Sequence, residues 1–346
     1  MAQGRISSGG DDEPNEVHVP APYPVKPLVG SSIGTSHHAG RTGTLGGYVE
    51  LVKEGSIKSC ALTCASVAAP PNGMVQTSQV ESGEGVVFSP STTDHEASIA
   101  RFKSDVAHLK DYRDTVEKES ARSETPDRFA SKLEFANNEI DRFEKKISET
   151  VDADREIGSI FSESESKILS EYASKGSRRI DWGLIELKAE RVGTNTVRDA
   201  NTWFRGGTQI LGVTFPLPYQ HVFKVGRSSE TTRGIINGVQ SCLSYGQNGR
   251  EKHMEWAVVG QNDIGRPFSY CGDSGALILE QFFPRTLGLL WGGMDNGEQW
   301  GRGHDRSYFT PIGAVAEHIL QTTGYHVQIQ GGSDICCDPV LTKFAK

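Results

Sequence analysis

The chain has 346 residues, 36% hydrophobic and 23% charged, and carries a formal net charge of −8. That is the composition of an ordinary folded protein with ample material for a core. An acidic chain without clustered Lys and Arg is a poor general nucleic-acid binder, and no apolar run approaches the about 20 residues of a membrane-crossing helix.

Residues 1–40 are rich in Gly, Ser, Pro and acidic side chains, and their composition predicts a flexible N-terminal arm. Strand signals begin at GTLGGYVELV (Gly43 to Val52) and resume at SIKSCALTCASV (Ser56 to Val67). The residues KEG between them suit a hairpin turn. GEGVVFSP is a third short strand. From Glu96 to about Ser174 the period changes. Ile99, Phe102, Val106, Leu109 and Val116 recur at helical steps, as do Phe129, Leu133, Ala136, Ile140, Phe143 and Ile147 after the break SETPD. Thr125 and Pro126 are placed to cap and open the second helix. The pattern predicts an antiparallel helical hairpin with a third helix around SKILSEY. We read it as an insertion (residues 96–175) packed on its host, rather than a free coiled-coil arm.

Strand signals then return in RIDWGLIEL, HVFKVGRSS, GIINGVQSCLS, MEWAVVG, GALILEQ and RTLGLLWGGM, separated by turn residues. Many short strands of this kind indicate a sandwich or barrel. TPIGAVAEHIL predicts a closing helix. The opening residues MAQGRISSGGDDEPNEVHVP do not have the pattern of a secretory leader. The six cysteines, including adjacent Cys336 and Cys337 and the pair Cys60 and Cys64, form neither a disulfide scaffold nor a metal quartet. These features predict a cytoplasmic protein with reduced thiols, no metal and no cofactor.

The chemistry is concentrated in SYCGDSGALIL, from Ser269 to Leu279. A serine hydroxyl is inert at neutral pH until a base takes its proton. Glycines around Ser274 let the N–H groups of Gly272 and Ser274 converge on one oxyanion, and Asp273 can anchor the turn from inside. By itself the tetrapeptide is also an ordinary β-turn.

With its context, the chain resembles the chymotrypsin-like, trypsin-like-superfamily serine peptidases over most of Gly43 to Leu320 apart from the insert. DWGLIEL is similar to that family's aspartate segment, FKVGRSSETTRGIINGV to a second-barrel hairpin of its microbial members, and YFTPIGAVAEHI to its closing helix. The resemblance implies an all-β fold of two six-stranded Greek-key barrels with a helical-hairpin insertion in the first. It places the first barrel at residues 41–218, the second barrel and closing helix at 219–325, and a C-terminal tail at 326–346. It also implies Ser274 as nucleophile, Asp181 as orienting carboxylate and Gly272 in the oxyanion hole.

The family's histidine follows a strand reading roughly Leu-Thr-x-x-His. Here the stretch is ALTCASV, and the slot falls on Ser66, which is no base. The ten histidines (His18, His37, His38, His95, His108, His221, His253, His304, His318 and His326) are expected to be structural or solvated. The resemblance also places a specificity pocket at Phe268, Trp291 and Gly292. Phe268 offers no carboxylate to hold Lys or Arg, so small or apolar side chains fit better. No Ile-Val-Gly-Gly processing site is present, so Asp273 must be fixed by something other than a freed N-terminal amine.

Two functions follow. One is a serine endopeptidase homologue, hydrolytically impaired by the missing base at Ser66. The other is a non-catalytic pseudoprotease that binds a peptide or protein in its cleft and a partner through the 96–175 insert. Neither involves nucleic acid or membrane.

Overall fold

The computed structural model describes residues 6–8, 23–36, 40–68, 85–164, 168–169, 178–197, 207–210, 212–245, 251–261, 267–294, 303–304, 306–332 and 335. The chain divides into two compact units. One is built from residues 1–15, 25–91 and 156–346, and the other from 16–24 and 92–155.

The larger unit holds two antiparallel sheets. The first contains β1 (Ser32–Thr35), β2 (Thr42–Thr44), β3 (Gly47–Lys53), β4 (Ser56–Thr63), β5 (Val86–Phe88), β6 (Glu156–Glu163) and β7 (Gly183–Leu187). Its order is β3-β4-β7-β6-β5-β1-β2. The segment 42–53 is nearly continuous: its first part pairs with β1 and its second with β4. The bend is at Leu45–Gly46, where Leu45 N–H donates to Ser31 O (2.9 Å) and Gly46 N–H to Leu62 O (2.8 Å). Pairing therefore returns on itself through this bent segment. Gly46 is required there, because a Cβ would collide with the carbonyl of Gly275.

The second sheet contains β8 (His221–Gly226), β9 (Glu230–Ile236), β10 (Ser241–Tyr245), β11 (Glu251–Gly260), β12 (Leu277–Glu280), β13 (Arg285–Met294) and β14 (Arg306–Pro311). Following the pairs β13-β12-β8-β9-β11-β14 leads back to β13, which closes a six-stranded barrel, with β10 added outside on β11. The sequence period explains the interior. Val222, Ile236, Val258, Phe268, Ala276, Ile278, Leu287, Leu290 and Phe309 form one buried cluster. Each large aliphatic side chain buried in this way contributes roughly 1.5–3 kcal/mol. The helix α4 (Ile312–Thr323) follows β14 and ends at Gly324 in the left-handed conformation. β15 (His326–Ile329) then pairs with β3, so these residues of the expected tail form a strand of the first sheet. Ser32–Thr35 of the expected arm is likewise a strand.

The smaller unit is the helical hairpin, α2 (Thr92–Ala121) and α3 (Ala130–Val151). Phe102, Val106, Val116, Phe129, Ala136 and Ile140 are its buried hydrophobic residues, as the period predicts. The rings of Phe102 and Phe143 lie 6.1 Å apart, and Lys110 pairs with Glu144 at 2.8 Å across the two helices. Three details differ from the expectation. Pro126 opens a 3₁₀ turn rather than the α-helix, and the Thr125 side chain makes no cap bond. The segment 156–163 within the expected insert is β6. Its Ser and Glu residues hide the strand pattern, because only Ile157 and Gly158 are buried in it. In SKILSEY, Ile168–Leu169 pairs with Arg178–Arg179 as a short ribbon rather than a helix, and the remaining residues lie outside the described ones.

Candidate active site

β4 ends at Thr63 and the chain makes a single helical turn, Ala65–Ala68. Asp181, with no exposed surface, sits just before β7. The Ser66 N–H donates to Asp181 Oδ1 at 3.2 Å. Ser66 is thus the residue whose backbone meets the Asp181 carboxylate. Its own Oγ is buried without a partner among the described residues. The second carboxylate oxygen meets a cation: Arg179 Nη2 donates to Asp181 Oδ2 at 2.8 Å. The guanidinium lies 4.6 Å over the Trp291 ring, in range for a cation–π contact. Arg179 is fixed by its backbone too, since its N–H donates to Glu255 Oε1 (2.6 Å) and its carbonyl accepts from Thr310 Oγ1 (3.0 Å). A guanidinium keeps its proton at any working pH and cannot serve as base.

Ser274 is 6% exposed, and its Oγ donates to Trp291 O at 3.3 Å. Around it the turn is held by backbone hydrogen bonds. Asp273 N–H donates to Tyr270 O and Gly275 N–H to Leu290 O. Among the described residues, the N–H groups of Gly272 and Ser274 make no backbone hydrogen bond. Gly272 has φ +93°, and a Cβ on it would collide with Arg227 Nη1 and Ser228 Oγ. Glycine is therefore demanded by backbone conformation and internal packing. Thr44 ties the first sheet to this turn. Its Oγ1 donates to Gly272 O (2.9 Å) and accepts from Arg227 N–H (3.0 Å), while its own N–H donates to Ser274 O (2.9 Å).

The anchor of Asp273 is Lys224. Its Nζ lies 3.1 Å from Asp273 Oδ2, and neither side chain has any exposed surface. Asp273 also accepts from the N–H groups of Ser228 (2.8 Å), Ser229 (3.2 Å) and Tyr270 (2.9 Å), and from Ser229 Oγ (2.6 Å). Burial by itself raises the carboxyl pKa. The Lys224 charge, the Ser229 hydroxyl and the Tyr270 and Ser228 N–H groups outweigh it and hold the pKa below the ordinary value. Burial lowers the Lys224 pKa, with Asp273 opposing.

Four of the described histidines are engaged elsewhere, and His108 and His326 are exposed. His253 Nδ1 meets Glu255 at 2.7 Å, His221 Nδ1 meets Gln261 at 3.1 Å, and His318 Nδ1 accepts from Trp182 Nε1 at 3.0 Å. His95, in the hairpin unit, meets the Tyr23 hydroxyl at 3.1 Å; burial and the Arg155 charge depress its pKa to about 4. Among the described residues no imidazole is hydrogen-bonded to Asp181 or Ser274. His18, His37, His38 and the side chain of His304 lie outside the described residues. Cys64, next to the slot, donates to Leu290 O at 3.0 Å, and burial pushes its thiol well up, so it is no alternative nucleophile.

Of the three pocket residues, Phe268 has no exposed surface and belongs to the second barrel's core cluster, so it presents nothing to a ligand. Trp291 is equally buried, stacked on Tyr308 with ring centroids 5.6 Å apart. Gly292 lies on β13 opposite Tyr308. Sequence reasoning missed Lys224 and Arg179. Each left a signal: a lysine inside the apolar run HVFKVG, and an arginine two residues before Asp181, on the same side of an extended chain.

The family model of the Nal1 C-terminal domain matches residues 215–306, which include Lys224, Asp273 and Ser274 but neither Ser66 nor Asp181. Among solved structures, the chain is similar to the chymotrypsin of Cellulomonas bogoriensis at 13% identity, covering 87% of this chain and 97% of that one (TM-score 0.40). It is similar to Protease A of Thermobifida fusca at 13% identity, with 87% and 98% covered (TM-score 0.42). A glutamic acid-specific serine protease that uses a histidine triad in substrate binding matches at 13% identity, with 88% and 100% covered (TM-score 0.41).

Proposed function

We propose that the chain is a serine-peptidase homologue of the chymotrypsin-like type that has kept the nucleophile turn and lost efficient hydrolysis, and that its cleft binds extended peptide. One observation carries this reading: Asp181 is met by the Ser66 N–H and by the Arg179 guanidinium, and among the described residues no imidazole is hydrogen-bonded to Asp181 or to Ser274. Loss of a triad member typically costs about 10⁴ to 10⁶ in turnover, leaving about 10³ to 10⁴ over water from oxyanion binding and positioning. We place the protein in a reducing compartment, since Cys60, Cys64, Cys242 and Cys271 are all free thiols. The helical hairpin, with exposed Tyr112 and Phe135, is where we place a partner contact.

The test is labelling with a fluorophosphonate probe. Wild type stays unlabelled. Ser66→His by itself labels weakly, because Arg179 still holds Asp181, and Ser66→His combined with Arg179→Ser labels readily and loses that on Ser274→Ala. Wild-type labelling abolished by Ser274→Ala defeats the proposal, since it requires a working base.

A further inference from the structure

Strand β13 has two neighbours along most of its length, and they change at its end. On one side β14 pairs with it through Gly292, Gly293 and Met294. On the other side β12 pairs with it only as far as Leu289. Leu290 still pairs with Gly275 and Ala276, and beyond it β13 would expose backbone donors and acceptors beside Ser274, whose Oγ contacts Trp291 O. An open edge of this kind is a template for another extended chain. It is filled by this chain's own residues Ile6–Ser8, antiparallel, with Ile6 opposite Met294, Ser7 opposite Gly293 and Ser8 opposite Gly292.

The direction of this strand matters. Running from Ile6 to Ser8, the segment advances from Met294 toward Trp291, and so toward the Ser274 turn. Gly292 and Gly293 have no side chains to hold a visiting backbone away. Main-chain pairing of this type supplies affinity without demanding a particular sequence, so another extended peptide can take the same place.

We infer that Ile6–Ser8 is a built-in occupant of the peptide-binding edge, closing it in cis until an extended peptide displaces it. This rests on the peptide-cleft reading above and adds its regulation. The fraction of molecules with the edge open sets the apparent affinity for any peptide in trans, so a largely closed edge weakens binding by the inverse of that fraction.

The experiment titrates a fluorescein-labelled synthetic peptide of residues 3–12 (QGRISSGGDD) and a labelled poly-alanine peptide, read by anisotropy. Three proteins are compared: the full chain, a chain lacking residues 2–12, and the full chain carrying Ser7→Pro with Ser8→Pro. The double proline removes a ladder donor whichever of the two residues points at β13, and leaves the rest of the chain intact. Release of the segment is expected to tighten the 3–12 peptide by about tenfold or more in both altered chains relative to the full chain. Equal affinities in all three overturn the proposal. If the shortened chain binds poly-alanine but not the 3–12 peptide, cis occupancy fails and the peptide cleft survives. If it binds neither, both readings fall.

Discussion

Asp181 and Asp273 are both carboxylates without exposed surface, each paired with one cation, and the resemblance places both beside the same nucleophile. Their surroundings differ. Asp273 is enclosed by Lys224, three backbone N–H groups and the Ser229 hydroxyl. Asp181 has the Ser66 N–H and the Arg179 guanidinium. The first arrangement satisfies a buried charge fully and fixes the turn that carries Gly272 and Ser274. The second satisfies the charge too, but with a group that cannot accept a proton. The contrast separates two jobs that a serine peptidase combines, holding an oxyanion and moving a proton. In this chain the Ser274 turn is held from inside by Asp273 and Lys224, while Asp181 is held by the Ser66 N–H and Arg179.

The contrast can be broken most strongly at Lys224. Lys224→Met leaves Asp273 charged and buried, and is expected to cost about 3–5 kcal/mol in urea unfolding. Adding Asp273→Asn should recover part of that loss. The same site has a pH signature. Because the folded pKa of Asp273 is lowered, its contribution is fully present above the ordinary carboxyl value and is lost as pH falls through the lower folded value. Acid unfolding of the Asp273→Asn chain should therefore lack that increment. A wild type and variant whose stabilities fall in parallel would contradict the pairing.

At Arg179 a smaller effect is expected, since its side chain is 8% exposed and the pair sees some solvent. Arg179→Met should cost about 2–3 kcal/mol, and a cycle with Asp181→Asn should show coupling of about 1 kcal/mol or more. Additive effects would mean that the pair contributes nothing specific. The smallest change tests the tie between the two sheets. Thr44→Val removes the hydrogen bond to Gly272 O and the acceptor for the Arg227 N–H, for an expected loss of about 1–2 kcal/mol. In the Ser66→His, Arg179→Ser background it should also slow fluorophosphonate labelling. Unchanged labelling would show that the turn holds its shape without Thr44.

Much of this was legible in the residues. The helical period of Phe102, Val106, Ala136 and Ile140 defined the hairpin, because one face of a helix must find cover and the spacing records which. The apolar runs around Phe223, Ile278 and Leu290 marked strands for the same reason at period two. The glycines flanking Asp273 and Ser274 announced a tight turn, and Gly272 sits there with a positive φ. The strand Glu156–Glu163 escaped notice because it is half polar and owes its place to its neighbours rather than to its own propensity.

The sequence by itself therefore determined the periodic elements and the glycine-flanked turn at Ser274, since each is encoded in the local run of the chain. Only the tertiary structure decided which cation meets which carboxylate. Lys224 reaches Asp273 across 49 residues of chain because β8 and the Ser274 turn belong to one closed barrel. It also decided that Ile6–Ser8 lies on Gly292–Met294, a pairing of backbone groups that no side-chain pattern records. Charges and strand edges select partners by what the fold brings within about 3 Å, whereas periodicity is a property of the local chain.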